Sequence, residues 1–147
     1  MATPVKYQQF ALAQFNGNSI DFDAGGLKAM LVGAGYTPNY ATDTFKSSVT
    51  SEVTGTNYTA RGATLANVVA SQTGGTVSIT ADSITWLQSA SGFTGAVGII
   101  VYNDTGVDST SRLITYTPFA TAATNTTGDV VINWNNTLVN GIVFNAS

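Results

Sequence analysis

The stretch Ala96-Val97-Gly98-Ile99-Ile100-Val101-Tyr102-Asn103 carries the clearest secondary-structure signal in the chain. Val97, Ile99 and Val101 alternate with Gly98, Ile100 and Tyr102, and this period of two is typical of a β-strand. The residues that follow, Asn103-Asp104-Thr105-Gly106, are of types that form turns. The stretch therefore predicts a strand that ends in a turn.

Shorter stretches with strand character lie on both sides of it. They are predicted at Ile20 with Phe22, at 27–32, 64–70, 76–81, 84–87, 112–117 and 130–134, and at 142–144. Residues 27–32 are apolar on both faces, which favours a central or covered strand. Thr73-Gly74-Gly75 predicts a hairpin. Eight or nine short strands with frequent turns are typical of a sandwich or barrel. We predict an all-β fold, a single-domain antiparallel β-sandwich over residues 1–147.

Three segments do not follow the strand pattern. Residues 6–15 contain good helix formers and predict a short helix that ends at Asn16-Gly17, although a strand is also open there and residues 1–17 could equally form an arm. Residues 33–59 predict a connection that is longer than compact domains usually contain. Residues 120–128 predict a polar loop.

The composition excludes several classes of function. The 147 residues include no Cys and no His, so Cys or imidazole catalysis, a Ser-His-Asp triad, disulfides and Cys or His metal sites are ruled out. Charged residues make up 9% of the chain, against the usual 25% or so. Thr and Ser together number 35. The polar surface is therefore expected to consist mainly of hydroxyl and amide groups.

The charge balance bears on the partners. The net charge is −3, and the five cations are scattered along the sequence: Lys6, Lys28, Lys46, Arg61 and Arg112. We expect no nucleic-acid partner and no anionic membrane partner, because both need a basic patch. The first residues lack the apolar segment of a signal peptide, so synthesis and use without export are expected.

Two acidic patterns are candidate cation sites. Asp21 and Asp23 would share a face on a strand and could hold a cation, but a solvated strand end is the more ordinary interpretation. Asp104 and Asp108 resemble part of a calcium loop without its later Glu, so a plain turn is favoured. We expect no catalytic residue, no metal and no cofactor, and therefore no enzyme.

Aromatic residues are the remaining candidates for recognition. Side chains of this type on β-loops could bind a sugar or a protein partner, or they could fasten the loop onto its own sheet. The sequence leaves both possibilities open. The candidate interface residues are Tyr7, Phe10, Tyr36, Tyr40, Phe45 and Tyr58.

Several motifs in order resemble a known family. They are residues 27–32 leading into Gly35-Tyr36-Thr37-Pro38-Asn39, the loop 51–59 with Gly62 and Leu65, then Asp82-Ser83-Ile84-Thr85-Trp86, Ile100-Val101-Tyr102-Asn103-Asp104-Thr105, and Asn133-Trp134 with Gly141-Ile142. This order, covering residues 10–144, resembles small virion structural proteins of tailed bacteriophages. The chain departs from the family at Asn57, where Gly is commoner, and at Ala60-Arg61-Gly62, where a Gly pair is usual. These departures leave the loop backbone there open to difference.

The resemblance implies a β-sandwich that decorates or cements the capsid, with no catalytic residues. It implies a virion location after synthesis in the host cytoplasm, and other virion proteins as partners, the major capsid protein first. A homo-oligomer is expected, with a trimer favoured. The alternative is a tail, baseplate or fibre component, or a host-adhesion module that binds glycans. A carbohydrate-binding module outside a virion is a third and weaker possibility.

Overall fold

The computed structural model describes residues 4–134, which form nine strands and one α-helix. The β-strands are Val5–Lys6 (β1), Leu27–Gly33 (β2), Ala63–Thr64 (β3), Val69–Thr73 (β4), Thr76–Thr80 (β5), Ile84–Trp86 (β6), Ala96–Asn103 (β7), Leu113–Ala123 (β8) and Val130–Ile132 (β9). The helix is Gln8–Ala13 (α1), and a 3-10 helix lies at Lys46–Ser48.

The strands form three antiparallel sheets in a sandwich-like arrangement, which confirms the predicted all-β fold class. The main sheet has the order β1-β8-β7-β2-β3, and two smaller sheets are β4-β5 and β6-β9. The strand expected from the opening stretch is β7, which lies at the centre of the main sheet with Ile100 opposite Met30 and Tyr116. Both β2 and β7 are buried along most of their length. An apolar strand fits that central position because both its faces are covered.

The core takes its large side chains from the sheets and from rings that the loops contribute. Tyr58, Trp86 and Phe93 form one ring cluster, with centroids 5.7–6.3 Å apart. A second cluster consists of Tyr36 and Tyr40 of the long connection, which pack on Tyr116 of β8, and of Tyr7, the residue before α1, which lies against Tyr40. Each partly edge-on ring pair stabilises the fold by about 0.5–1.5 kcal/mol beyond its buried area. The loops are therefore part of the core.

The predicted N-terminal helix is present but shorter than expected. Val5 and Lys6 pair with Tyr116 and Thr115 of β8, so Lys6 belongs to a strand and the helix begins at Gln8. Backbone hydrogen bonds to a sheet edge compete with the helix for the first turn. The helix ends at Ala13, which leaves Phe15 outside it and exposed.

The strand predicted at Ile20 and Phe22 is wrong. This segment has no strand partner among residues 4–134, and Phe22 instead packs edge-on against Phe10 at 5.9 Å. The alternation came from one buried ring and one half-buried aliphatic side chain. Asp21 and Asp23 therefore do not share a strand face. The backbone N–H of Asp23 donates to the Asp21 carboxylate at 3.0 Å, forming a local turn.

The strand predicted at 64–70 is two strands. β3 pairs with β2 in the main sheet, whereas β4 pairs with β5 in a separate hairpin. Asn67 lies between them with φ +50, a left-handed conformation that breaks an extended strand. The hairpin itself is confirmed, because Gly74 and Gly75 both have positive φ and make the two-residue turn.

The predicted polar loop 120–128 begins too early. β8 continues to Ala123, which pairs with Ala96 of β7 across a register shift. The small side chains of this part look like a loop in sequence, but the neighbouring β7 supplies backbone partners. The long connection, residues 33–59, lies within the described part of the chain and contains no strand after the end of β2. It makes isolated β-bridges at Phe45 and Glu52. The strand predicted at 142–144 lies outside the described residues.

Candidate functional site

Most of the predicted interface rings are core residues. Tyr7, Phe10, Tyr36 and Tyr58 are buried, each with less than a tenth of its surface exposed. They are therefore not surface side chains, and the alternative in which aromatic residues fasten the loop onto the sheet describes them. Tyr36 packs edge-on against Tyr116 of β8, Phe10 packs against Phe22, and Tyr58 lies against Trp86 and Phe93.

Hydrogen bonds join these rings to the long connection. The hydroxyls of Tyr7 and Tyr36 lie 2.8 Å apart, and Tyr36 donates to the Asp43 carboxylate at 2.8 Å. Asp43 also accepts from the backbone N–H of Asn39 at 2.9 Å. Burial raises the pKa of both hydroxyls, so they stay protonated and hydrogen-bonded. This chain of bonds ties helix α1 to the connection.

Tyr40 and Phe45 are half-buried and keep part of their rings at the surface. The Tyr40 ring lies 5.6 Å from that of Tyr7. The guanidinium carbon of Arg112 stands 4.9 Å above the Phe45 ring, a cation–π contact. The interface prediction therefore stays a prediction for these two residues alone.

The loop between β7 and β8 gathers charges from distant parts of the chain. Asp104 and Asp108, the two acids compared with a calcium loop, are both held by cations. Lys28 of β2 lies 3.0 Å from Asp104, and the Arg61 Nε lies 3.2 Å from each Asp104 carboxylate oxygen. Arg61 also pairs with Asp108 through its Nη1. No group of three metal-ligating side chains occurs among residues 4–134.

A third carboxylate joins the same group. Lys46 of the 3-10 helix lies 3.5 Å from Glu52 and 3.6 Å from Asp108. Glu52 also accepts from the backbone N–H of Arg61 at 2.6 Å and from the Tyr58 hydroxyl at 2.9 Å. We call the six side chains the charge cluster: Lys28, Lys46, Glu52, Arg61, Asp104 and Asp108.

The charge cluster is neutral in sum, because three cations face three carboxylates. It holds three of the five cations and three of the eight carboxylates in the chain. The cations that looked scattered in sequence therefore meet in space, but they form no basic patch. What remains elsewhere is two cations and five carboxylates, which carry the whole net charge of −3.

Burial makes the cluster stronger at Asp104 than at Asp108. The Asp104 side chain is 8% exposed, whereas that of Asp108 is 48% exposed. The Arg61 guanidinium holds the pKa of the Asp104 carboxyl well below its usual range, and the Gly106 N–H and Lys28 act in the same direction. Arg61 lowers the pKa of Asp108 as well. Ion pairs at half-exposed groups contribute little, so most of the stabilisation comes from Asp104.

Neutral groups complete the support around the cluster. Tyr102 of β7 donates to the backbone carbonyl of Arg61 at 2.6 Å, and burial raises the pKa of that hydroxyl. Ser111 is fully buried; its hydroxyl donates to the carbonyl of Val107 at 2.8 Å and accepts from the N–H of Thr105 at 3.0 Å. The β7–β8 loop is thus fixed from both ends.

The loop around Arg61 needs an unusual backbone. Arg61 has φ +74 and Gly62 has φ +79. A Cβ on Gly62 would lie 2.0 Å from the carbonyl oxygen of Ala29, so only glycine fits against β2 there. The position of Arg61 thus depends on a close approach between a loop and the central sheet. No sequence pattern indicates that residues 28, 61 and 104 meet.

A second polar anchor lies at the opposite loops. Asn125 is fully buried, and its amide donates to the carbonyls of Leu87 at 2.9 Å and Thr56 at 3.2 Å. Asn125 thus joins its own loop to the loops that contain Thr56 and Leu87. The sequence pattern did not predict this role.

The outer surface of the described residues is mainly neutral. The large apolar side chains exposed there are Val5, Leu12, Phe15, Val69, Leu87, Val107 and Val131. No helix within residues 4–134 is long and apolar enough to cross a membrane. In the comparisons with known proteins, no family model, curated protein or solved structure matches this chain.

Proposed function

We propose that this chain is a non-enzymatic structural protein of a tailed-phage virion. In this proposal it is a capsid decoration or cement protein that stabilises the shell by subunit packing. Its partners are the major capsid protein and further copies of itself, with a trimer as the favoured assembly. The observation that carries the proposal is the neutral charge cluster, because it leaves few charges on the rest of the described surface.

A surface of this kind suits permanent packing against other subunits. Ordering a long Lys or Glu side chain at an interface costs up to about 2 kcal/mol of rotamer entropy, whereas Thr and Ser lose less. The cores of protein interfaces are also depleted of charge. Thr, Ser and Asn can keep a surface soluble before assembly and still be buried afterwards at modest cost.

The backbone conformation of the loop that contains Asn57 and Arg61 supports the resemblance to the phage family. Asn57 and Arg61 are the positions where the chain departs from the glycines of the phage family that it resembles. Both have positive φ, +64 and +74. Glycine adopts this conformation without strain, and Asn tolerates it better than most residues. The loop therefore keeps the backbone that glycine would favour.

The aromatic side chains argue against a sugar-binding surface. A glycan platform needs exposed rings, and among the described residues Phe15 is the one ring on the strongly exposed part of the surface. The Trp residues and four of the six predicted interface rings are buried. We therefore place capsid decoration before the glycan-binding alternative.

A binding experiment with capsid shells tests the proposal. Purified protein is mixed with shells from which it has been stripped, and the pellet is measured after sedimentation. We expect saturable binding, and we expect the loaded shells to withstand heat better than the stripped ones. Shells that already carry their full complement serve as the matched control. Absence of binding to stripped shells, at any protein concentration, would contradict the proposal.

A further inference from the structure

Strand β4 has an open edge. It pairs only with β5, and within residues 4–134 no third strand joins this hairpin. All five residues of β4, Val69 to Thr73, are exposed. A two-stranded hairpin on its own is only marginally stable in water. This hairpin is held by β5, whose Ile79 is buried in the core.

This edge also lacks the usual protection against pairing. Residues 62–81 form a run of 20 without Lys, Arg, Asp, Glu or Pro. The β4–β5 register runs without a bulge from Val69 opposite Thr80 to Thr73 opposite Thr76. Edge strands of monomers usually carry a charge, a proline or a bulge, because an open edge is a template for another strand.

The other edges within the described part of the chain are managed differently. The edge strands β1 and β3 of the main sheet have only two residues each. β8, which extends beyond β1, carries Pro118. Asp82 and Asp129 lie close to the ends of β6 and β9. β5 also has an unpaired edge without a charge, but its residues are half-buried or buried, so β4 is the fully exposed one of the two.

We propose that the free edge of β4 pairs with a strand of a second copy of this chain. A neutral strand meets an identical neutral strand without like-charge repulsion. In an antiparallel pairing centred on Ser71, Val69 would stand opposite Thr73 and Ala70 opposite Gln72, all uncharged. The inference rests on the proposed assembly of several copies. This two-fold pairing makes a dimer by itself, and it would link favoured trimers, formed through another face, into a hexamer.

A charged substitution on the edge tests this pairing. Val69→Lys adds an ammonium group to β4, and Val131→Lys is the matched control, since the two valines are exposed to 53% and 56% on strands of small sheets. Mass is measured by light scattering over a concentration series. We expect wild type and Val131→Lys to share one oligomeric mass. We expect Val69→Lys to need more than about tenfold higher concentration for half-assembly.

Hydrogen exchange gives a readout that needs no variant. In the wild type, the β4 amides that point away from β5 should exchange slowly at high concentration and rapidly on dilution. A monomeric wild type, a Val69→Lys protein with wild-type assembly, or β4 exchange that ignores dilution would each overturn the inference. Protection of β4 that appears only on shells would overturn it as well, in favour of a capsid partner.

The two proposals fail separately. An oligomer that assembles through β4 but never binds stripped shells supports the β4 pairing and contradicts the virion role. An oligomer that binds shells but is unaffected by Val69→Lys does the reverse. Circular dichroism and the melting temperature of each variant establish that the compared proteins are folded.

Discussion

Replacing Arg61 by Ala tests whether the charge cluster stabilises the fold. The guanidinium contacts Asp104, which is almost fully buried, and Asp108, which is half-exposed. Hydrogen bonds to charged groups contribute about 1.5–3 kcal/mol, and the half-exposed pair adds about 0.2–1 kcal/mol. Lys28 stays 3.0 Å from Asp104, so the carboxylate is not left alone. We expect the free energy of unfolding to fall by about 2–4 kcal/mol.

The backbone at this position gives a second, independent comparison. Arg61 has φ +74, and a left-handed conformation costs an ordinary residue roughly 1–2 kcal/mol. Ala keeps that cost, whereas Gly does not. Arg61→Gly should therefore be more stable than Arg61→Ala by about 1 kcal/mol, although both lose the same ion pairs.

Urea unfolding followed by Trp fluorescence measures these differences. The matched control is Arg112→Ala, because Arg112 lies over the Phe45 ring and its loss should cost only about 0.5–1 kcal/mol. A loss of about 2–4 kcal/mol corresponds to a drop in Tm of roughly 4–16 °C for a chain of this size. If Arg61→Ala costs no more than Arg112→Ala, the cluster does not stabilise the fold in the way described.

Three further outcomes are expected. Gly62→Ala should destabilise the fold by more than about 3 kcal/mol, because its Cβ would meet a β2 carbonyl oxygen at 2.0 Å. Gly25→Ala is the control: Gly25 has a similar φ but open space around it, so its substitution should cost only about 1–2 kcal/mol. Urea unfolding of both variants measures the difference. Tyr36→Phe should lower the free energy of unfolding by about 1–3 kcal/mol, because it leaves the fully buried Tyr7 hydroxyl without its partner. Tyr7→Phe should cost less, since the Tyr36 hydroxyl still donates to Asp43. Melting curves of the two variants measure this difference. Stability should change little between about pH 5 and pH 9, because no His or Cys titrates there. Stability should fall below about pH 4, because the folded pKa of the Asp104 carboxyl lies below its unfolded value. It should also fall above about pH 10, because burial raises the folded pKa of Tyr58 and Tyr102 above their unfolded values. In a pH series of melting curves, Asp104→Asn should reduce the loss of stability at acidic pH and leave the loss at alkaline pH unchanged.

Local patterns predicted the elements whose structure depends on neighbours in sequence. Strand β7 and the hairpin turn at Gly74-Gly75 follow from alternation and from residue types that suit positive φ. The helix was predicted, but its start was placed too early, at residue 6 instead of Gln8. The reason is that Lys6 pairs with Thr115, a residue far away in the sequence. A single sequence contains no signal for such a pairing.

The charge cluster could not be predicted for the same reason. Arg61 and Asp104 are 43 positions apart, and Arg61 and Asp108 are 47 apart. Composition revealed that charges were few, but it could not reveal that six of the thirteen charged side chains would neutralise one another. The burial of Tyr7 and Tyr36 could not be predicted either, because an aromatic residue outside a regular strand has the same sequence context whether it lies in the core or at an interface. Burial, which depends on the whole fold, separates them.

The mass of the purified protein at low and high salt shows whether copies of this chain associate, and through which kind of surface. We propose that they associate through neutral surfaces. Light scattering should therefore give a multiple of 15.2 kDa, two copies if β4 pairing alone assembles the chain and three or six if the favoured trimer forms, and the same mass at about 0.05 M and about 1 M salt. A 15.2 kDa monomer at every concentration, or an oligomer that dissociates as salt rises, would contradict the account.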